Sequence, residues 1–241
     1  MTEMRYLFPD AIVSTDWLAE NLSDPALRIF DCTVYLHYET GSGRPYKVES
    51  GRADYEAGHI PGSAFIDLQA DLSNNDSPFR FTMLPPDDLA RQFGALGIGQ
   101  DTRVILYSRD NIQWSTRVWW MLRVMGHNDV KVLDGGLAAW KAEGGELEDM
   151  PPVAVERHFT ARVRSDLVKD AEQVAAASET GSHAIVDARA VGRFTAEAPE
   201  PREGLPSGHI PGSTCVPSSN LINPDGTFKS VSELQGLLSN H

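Results

Sequence analysis

The tetrapeptide His-Ile-Pro-Gly occurs twice, at His59-Ile60-Pro61-Gly62 and at His209-Ile210-Pro211-Gly212, 150 positions apart. The surroundings of the two copies agree in order and kind. Leu27-Arg28-Ile29-Phe30-Asp31-Cys32 precedes the first, and His183-Ala184-Ile185-Val186-Asp187-Ala188 precedes the second. Ser63-Ala64 leads on to Asp67-Leu68, as Ser213-Thr214 leads on to Asn220-Leu221. A repeat this long is a duplicated domain rather than a solenoid unit. The chain is therefore expected to hold two copies of one fold, the second cut short. Ser108 lies 49 positions after His59, and the same offset from His209 runs past His241.

A length of 241 residues suits one or two domains. No apolar run is long enough to span a bilayer, and Met1-Thr2-Glu3-Met4-Arg5-Tyr6 lacks the apolar core of a secretion signal. The expectation is a cytoplasmic protein. A net charge of −13 argues against nucleic-acid and membrane partners, which require a cationic face. Cys32 and Cys215 fall in different copies and form neither a CxxC pair nor a metal-ligand spacing, so both read as free thiols. No metal or organic cofactor is implied.

Ser14 or Thr15 caps a first helix, and Leu27 to Phe30 is a short strand ending at Asp31. Residues 37–52 read as loop, and Ala53 to Ala57 as a helical turn. Pro85-Pro86-Asp87-Asp88 opens a helix with acids in its first turn. Val104-Ile105-Leu106-Tyr107 is a continuous apolar run, the mark of a buried parallel strand. The polar stretch Ser108 to Gln113 follows, then a helix over Ser115 to Met125 closed by Gly126. Val130 to Leu133 is a strand, and Asp134-Gly135-Gly136 turns into a helix holding Trp140. Alternating strands and helices predict an α/β fold on a parallel sheet. Residues 1–145 form the first domain, 146–160 a Pro-bearing linker, and 161–241 the N-terminal part of the second domain. There Leu167 to Ser178 and Val231 to Leu238 are predicted helices, and Ala184 to Val186 a strand.

Arg117-Val118-Trp119-Trp120-Met121-Leu122-Arg123, Asp134-Gly135-Gly136 with Trp140, and Pro199-Glu200-Pro201-Arg202 before Ser207-Gly208-His209 occur in order with the two repeats. Together they resemble the tandem-rhodanese sulfurtransferases, in particular the 3-mercaptopyruvate branch, over nearly the whole chain. The resemblance implies two rhodanese-like domains, the first catalytically silent. It also implies sulfur transfer from 3-mercaptopyruvate or thiosulfate to cyanide or to a thiol acceptor, such as thioredoxin or a small thiol. The family's second domain carries a nucleophilic cysteine in a Cys-Gly-Ser-Gly-Val-Thr type of loop. The first copy has Ser108-Arg109-Asp110-Asn111-Ile112-Gln113 at that place, without cysteine, and the second copy does not reach it.

A persulfide mechanism needs a thiolate of lowered pKa, which backbone N–H groups at a helix N-terminus can provide. Neither Cys32 nor Cys215 stands where the family places it, and both read as small packed side chains. The resemblance assigns Arg193 and Arg202 to the substrate carboxylate and keto group. Guanidinium suits that task, being planar, bidentate and permanently charged. Arg189 is a third substrate-binding candidate, or equally a structural partner of Asp187. His59 matches a first-domain histidine proposed for a proton relay, whereas His209 reads as a turn histidine. Trp119 and Trp120 read as core and interface packing. A phosphatase Cys-x5-Arg loop is excluded, since Ser108 and Trp114 stand at its key positions. The rival to an enzyme is a non-catalytic rhodanese-like binding module, with an incomplete and loose second half.

Overall fold

The computed structural model describes residues 9–38, 46–153, 155–201 and 204–239. Strands β1 (Ile12–Val13), β2 (Leu27–Asp31), β3 (Val34–His37), β4 (Lys47–Ser50), β5 (Ser63–Phe65), β6 (Arg103–Tyr107) and β7 (Val130–Leu133) belong to the first half. So do helices α1 (Thr15–Asn21), α2 (Arg52–Ala57), α3 (Pro86–Ala95), α4 (Gln113–Val124) and α5 (Gly136–Ala142). Five strands form one parallel sheet in the order β1-β7-β6-β2-β5.

The unbroken apolar run of β6 is explained by its place in the middle. Val104 and Leu106 pack into a core on one face with Leu89 and Phe93 of α3 and Val118, Met121 and Leu122 of α4. Ile105 and Tyr107 pack into the other face with Leu18 of α1 and Leu137 and Trp140 of α5. A strand covered on both faces has no polar side to show. Helix α4 puts Val118, Met121, Leu122 and Met125 on one apolar stripe. Its tryptophans lie at the margin of that core. Trp119 donates to Val130 O at 3.1 Å, and Trp120 to Leu167 O at 3.3 Å.

Two sequence expectations need correction. The stretch 37–52 is not all loop, because β4 pairs antiparallel with β3 from Val34↔Ser50 to His37↔Lys47. Its polar, half-exposed Lys47-Val48-Glu49-Ser50 hides a strand of period two. Residues 39–45 lie outside the described residues. The helix expected from Leu167 begins later, as α6 (Ala171–Thr180), after a 3-10 turn at Ser165–Leu167. Asp170 fixes its start through a capping box with Gln173. The linker residues 146–160 pack against the first half. Glu148 exchanges backbone hydrogen bonds with His59 at 2.8 and 2.9 Å, Arg157 N donates to Gly94 O, and Phe159 is buried against Phe93.

The second half adds α6, β8 (Val186–Asp187), α7 (Val191–Phe194), β9 (Thr214–Cys215) and α8 (Val231–Leu238). Its strand pairing and turns repeat those of the first half. The pairs Phe30↔Ala64 and Asp31↔Phe65 recur as Val186↔Thr214 and Asp187↔Cys215. Ile66 N donates to Asp31 O as Val216 N donates to Asp187 O. Gly62 and Gly212 hold the left-handed turn at φ +74° and +75°, which glycine tolerates without strain. The halves differ in what covers them. In the first half β6 lies beside β2. Among the described residues β8 pairs with β9 alone, and Val186 and Ile210 are 49% and 43% exposed.

Candidate functional site

The site candidates of the second half gather where β8 and β9 end, at the C-terminal edge used for ligands in open α/β sheets. Asp187 closes β8, and the chain turns at once, with Arg189 N donating to Asp187 Oδ1 at 3.0 Å. This turn brings the Arg189 guanidinium back onto the same carboxylate. Nε reaches Oδ1 at 2.9 Å and Nη2 reaches Oδ2 at 2.5 Å. Nη2 also donates to Gly208 O at 2.7 Å, and Nη1 to Glu200 Oε1 at 2.8 Å. Arg189 is thus occupied by the fold, which is the structural alternative left open by the sequence.

Arg193 stands on the one-turn helix α7. Its Nη2 donates to Glu200 Oε2 at 2.6 Å, while its buried Nε has no hydrogen-bond partner among the described residues. Arg202 lies outside the described residues. Asp187, Arg189 and Gly208 line an open cavity of about 670 Å³ together with His209 and Ile210. The Arg189 side chain hydrogen-bonded to Asp187 holds that carboxyl below its ordinary 3.8. Arg193 does the same for Glu200, below 4.5.

These two depressed carboxyls make the clasp pH-sensitive. A depressed folded-state pKa contributes stability above the unfolded value, and that contribution is lost as pH falls through the folded value. Below about pH 5, the protection of the amides of residues 186–216, measured as exchange relative to the intrinsic rate at each pH, is expected to fall on acidification. In Arg189→Ala the same amides are expected to be poorly protected already at neutral pH, with little further change. Identical profiles for the two proteins would show that the clasp does not order this half.

The first half holds the same arrangement with a different cation. Asp31 is fully buried at the end of β2, and Thr33 stands where Arg189 stands in the second copy. Thr33 N and its hydroxyl both donate to Asp31 Oδ1. The guanidinium comes instead from Arg109, in the polar loop after β6. Its Nε faces Asp31 Oδ2 at 3.3 Å, an ion pair angled too poorly for a hydrogen bond. Nη2 donates to Gly58 O at 2.6 Å and Asp54 O at 2.8 Å. Gly58 precedes the first His-Ile-Pro-Gly as Gly208 precedes the second. Burial pushes the Asp31 carboxyl up, against the pull of Thr33 and Arg109. Within the loop, Ser108 Oγ donates to Asn111 O at 2.7 Å, and Asn111 Oδ1 accepts from Gln113 N at the start of α4.

His59 lies in the first half, fully buried. It stacks on Tyr55 at 4.0 Å, and its Nδ1 bonds Tyr55 O. Its Nε2 lies 3.9 Å from Glu148 Oε1, which is also the acceptor for Gly62 N. His209 repeats the arrangement on Phe194, with rings 3.8 Å apart and Nδ1 at 2.8 Å from Phe194 O. Both histidines thus brace their turns in one way. Neither cysteine is placed as a nucleophile. Cys32 is fully buried, and burial with Asp31 alongside raises its thiol well above the usual range. Cys215 is half-buried, with Sγ 3.8 Å from Arg189 O.

Arg109 and Glu200 are the site residues that sequence reasoning missed. Arg109 was findable, since a strand-end aspartate repeated in both copies needs a cation in both. Glu200 belongs to a recognised motif, but its two partners lie seven and eleven positions away with no periodicity to betray them.

A wider cleft of about 1120 Å³ separates the halves. It is lined by the Ser108–Gln113 loop, Gly135, Gly136 and residues 218–229. Asp134 spans it by accepting from Phe228 N at 2.8 Å. Gly136, at φ +55°, allows the chain to pass Ser108 O so closely that a Cβ there would sit 2.3 Å from it. Among the described residues, no group of three or more His, Cys, Asp or Glu could hold a metal ion. No helix among them is long and apolar enough to cross a membrane.

Comparison with known proteins agrees with this fold. Residues 14–143 match the model of the Rhodanese-like domain. The chain is 36% identical over 226 residues to 3-mercaptopyruvate sulfurtransferase of Escherichia coli K12, covering 93% of this chain and 77% of that protein. It is 37% identical over 235 residues to thiosulfate sulfurtransferase of Bos taurus, covering 94% and 75%. The crystal structure of the E. coli 3-mercaptopyruvate enzyme SseA superposes with a TM-score of 0.81 at 33% identity, over 95% of this chain and 83% of that one.

Proposed function

The chain belongs to the 3-mercaptopyruvate/thiosulfate sulfurtransferase family of rhodanese-like enzymes, and we propose that its 241 residues supply the substrate-carboxylate pole of a persulfide sulfurtransferase. The observation that carries this reading is Arg193. It is a guanidinium at the C-terminal edge of the second half, only partly engaged by Glu200, with an unpartnered Nε–H. Arg202 is its companion. Their permanent charge and planar fork suit a carboxylate next to a keto group. The donor is 3-mercaptopyruvate, with thiosulfate second.

In the chemistry proposed for the site, a cysteine thiolate attacks the donor's sulfur. The C–S bond breaks, pyruvate leaves after protonation, and the cysteine keeps the sulfur as a persulfide. A thiol acceptor such as thioredoxin or a small thiol, or cyanide, then takes that sulfur. Neither cysteine of these residues is placed for the attack. A reducing cytoplasm suits both, since they stand free.

The test is a calorimetric titration of the chain with 3-mercaptopyruvate. Arg193→Ala, checked for unchanged circular dichroism, is expected to bind about 10- to 100-fold more weakly, the scale of one charged hydrogen bond. Equal affinity would remove the carboxylate role. The exposed edge of β8 favours the rival reading of a binding module. That reading gains if the chain binds neither 3-mercaptopyruvate nor thiosulfate.

A further inference from the structure

One carboxylate is shared by Arg189 and Arg193. Glu200 takes Arg189 on Oε1 and Arg193 on Oε2, and only 5% of its side chain is exposed. We infer that Glu200 is a positioning and selectivity residue, fixing the Arg193 guanidinium for a planar keto-carboxylate while cancelling its charge towards simple inorganic anions. The inference rests on the carboxylate role given to Arg193 above.

The clasp has one end anchored by several groups and one end held through Glu200. Arg189 is immobilised by the two oxygens of Asp187 and by Gly208 O. Arg193, on a helix of four residues with its side chain a third exposed, has no such anchor of its own. A free arginine side chain loses rotamer entropy when it is fixed. Glu200 transfers the rigidity of Arg189 to Arg193 before any ligand arrives, and such preorganisation raises affinity without a new contact. Pro199 and Pro201 flank Glu200, and their fixed φ limits where its carboxylate can swing.

Among the described residues of the cluster, Asp187 and Glu200 offset Arg189 and Arg193. A sulfate ion is recognised chiefly by charge, so this offset weakens its attraction. A keto-carboxylate is recognised by oriented donors, which the cluster keeps. Discrimination of this kind arises from suppressing the wrong ligand as much as from holding the right one.

The two ligands are therefore expected to respond oppositely to Glu200→Gln. Calorimetry on the 241-residue chain should show 3-mercaptopyruvate binding weakened about tenfold and sulfate binding strengthened several-fold, the scale of one charged contact. Glu200→Asp should recover part of the 3-mercaptopyruvate affinity. Loss of both affinities together, or no change in either, would overturn the inference, since a damaged fold cannot improve sulfate binding. The functional reading fails separately, if the unmodified chain and Arg193→Ala bind 3-mercaptopyruvate equally well. In that case a sulfate gain in Glu200→Gln would leave Glu200 a mere charge partner, which also overturns the positioning role.

Discussion

The purified 241-residue chain, given 3-mercaptopyruvate with cyanide or dithiothreitol as acceptor, is expected to release no sulfur above background. Without a catalytic nucleophile kcat falls on the order of 10⁶-fold, and neither cysteine of these 241 residues is placed to act as one. Cys32 is fully enclosed between the sheet and α4, and its thiol is driven up by burial and by Asp31. A neutral, inaccessible thiol neither attacks a donor nor hands sulfur on. Cys215 points at the Arg189 carbonyl, so its sulfur is placed as a donor to C=O rather than as an acceptor of N–H groups. The loop that follows β6 offers Ser108, whose hydroxyl is held by Asn111 O. Cys32→Ser and Cys215→Ser should therefore leave the background unchanged. Turnover that disappears in Cys215→Ser would show that this thiol has been recruited.

The largest stability effect is expected at Arg109. Its guanidinium is the only cation whose pairing with Asp31 is seen among the described residues, and Asp31 has no access to water. Breaking such a pair from one side costs about 3–5 kcal/mol, because the remaining charge stays buried. Arg109→Ala also leaves the carbonyls of Gly58 and Asp54 without their donor. Urea unfolding followed by tryptophan fluorescence is the appropriate measurement. All five tryptophans, at positions 17, 114, 119, 120 and 140, belong to the first half. Asp31→Asn in the Arg109→Ala background should restore part of the loss, since it removes the charge that has no partner. A loss below about 1 kcal/mol in Arg109→Ala would mean that Asp31 is protonated in the folded protein and needs no cation.

The family resemblance implies a catalytically silent first half, and this pair supplies a physical reason for it. The loop that would present a nucleophile there instead sends an arginine into its own sheet edge, against Asp31 and Gly58 O. In the second half the corresponding Asp187 and Gly208 O are served by Arg189 from the strand's own turn.

The sequence by itself determined the duplication, the parallel α/β plan and the middle place of β6. Each of these is written in local order. A tetrapeptide recurs with its neighbours, and four consecutive apolar residues can only be covered on both sides. Helices with a local start signal were also legible, and Val231–Leu238 ends where its pattern ends. The hairpin of β3 and β4 was not, because half-exposed polar strands lack an apolar signal. The packing of residues 146–160 was not either, because Phe159 is a lone apolar residue whose partner, Phe93, is distant in sequence. The tertiary structure alone decided how the charges are shared. It gave Asp31 to Arg109, Asp187 to Arg189, and Glu200 to two arginines at once. Sequence spacing shows which charges exist, but ion pairs are selected by distance in space and by exclusion of water, and both arise only when strand ends and loops are brought to one edge of a sheet.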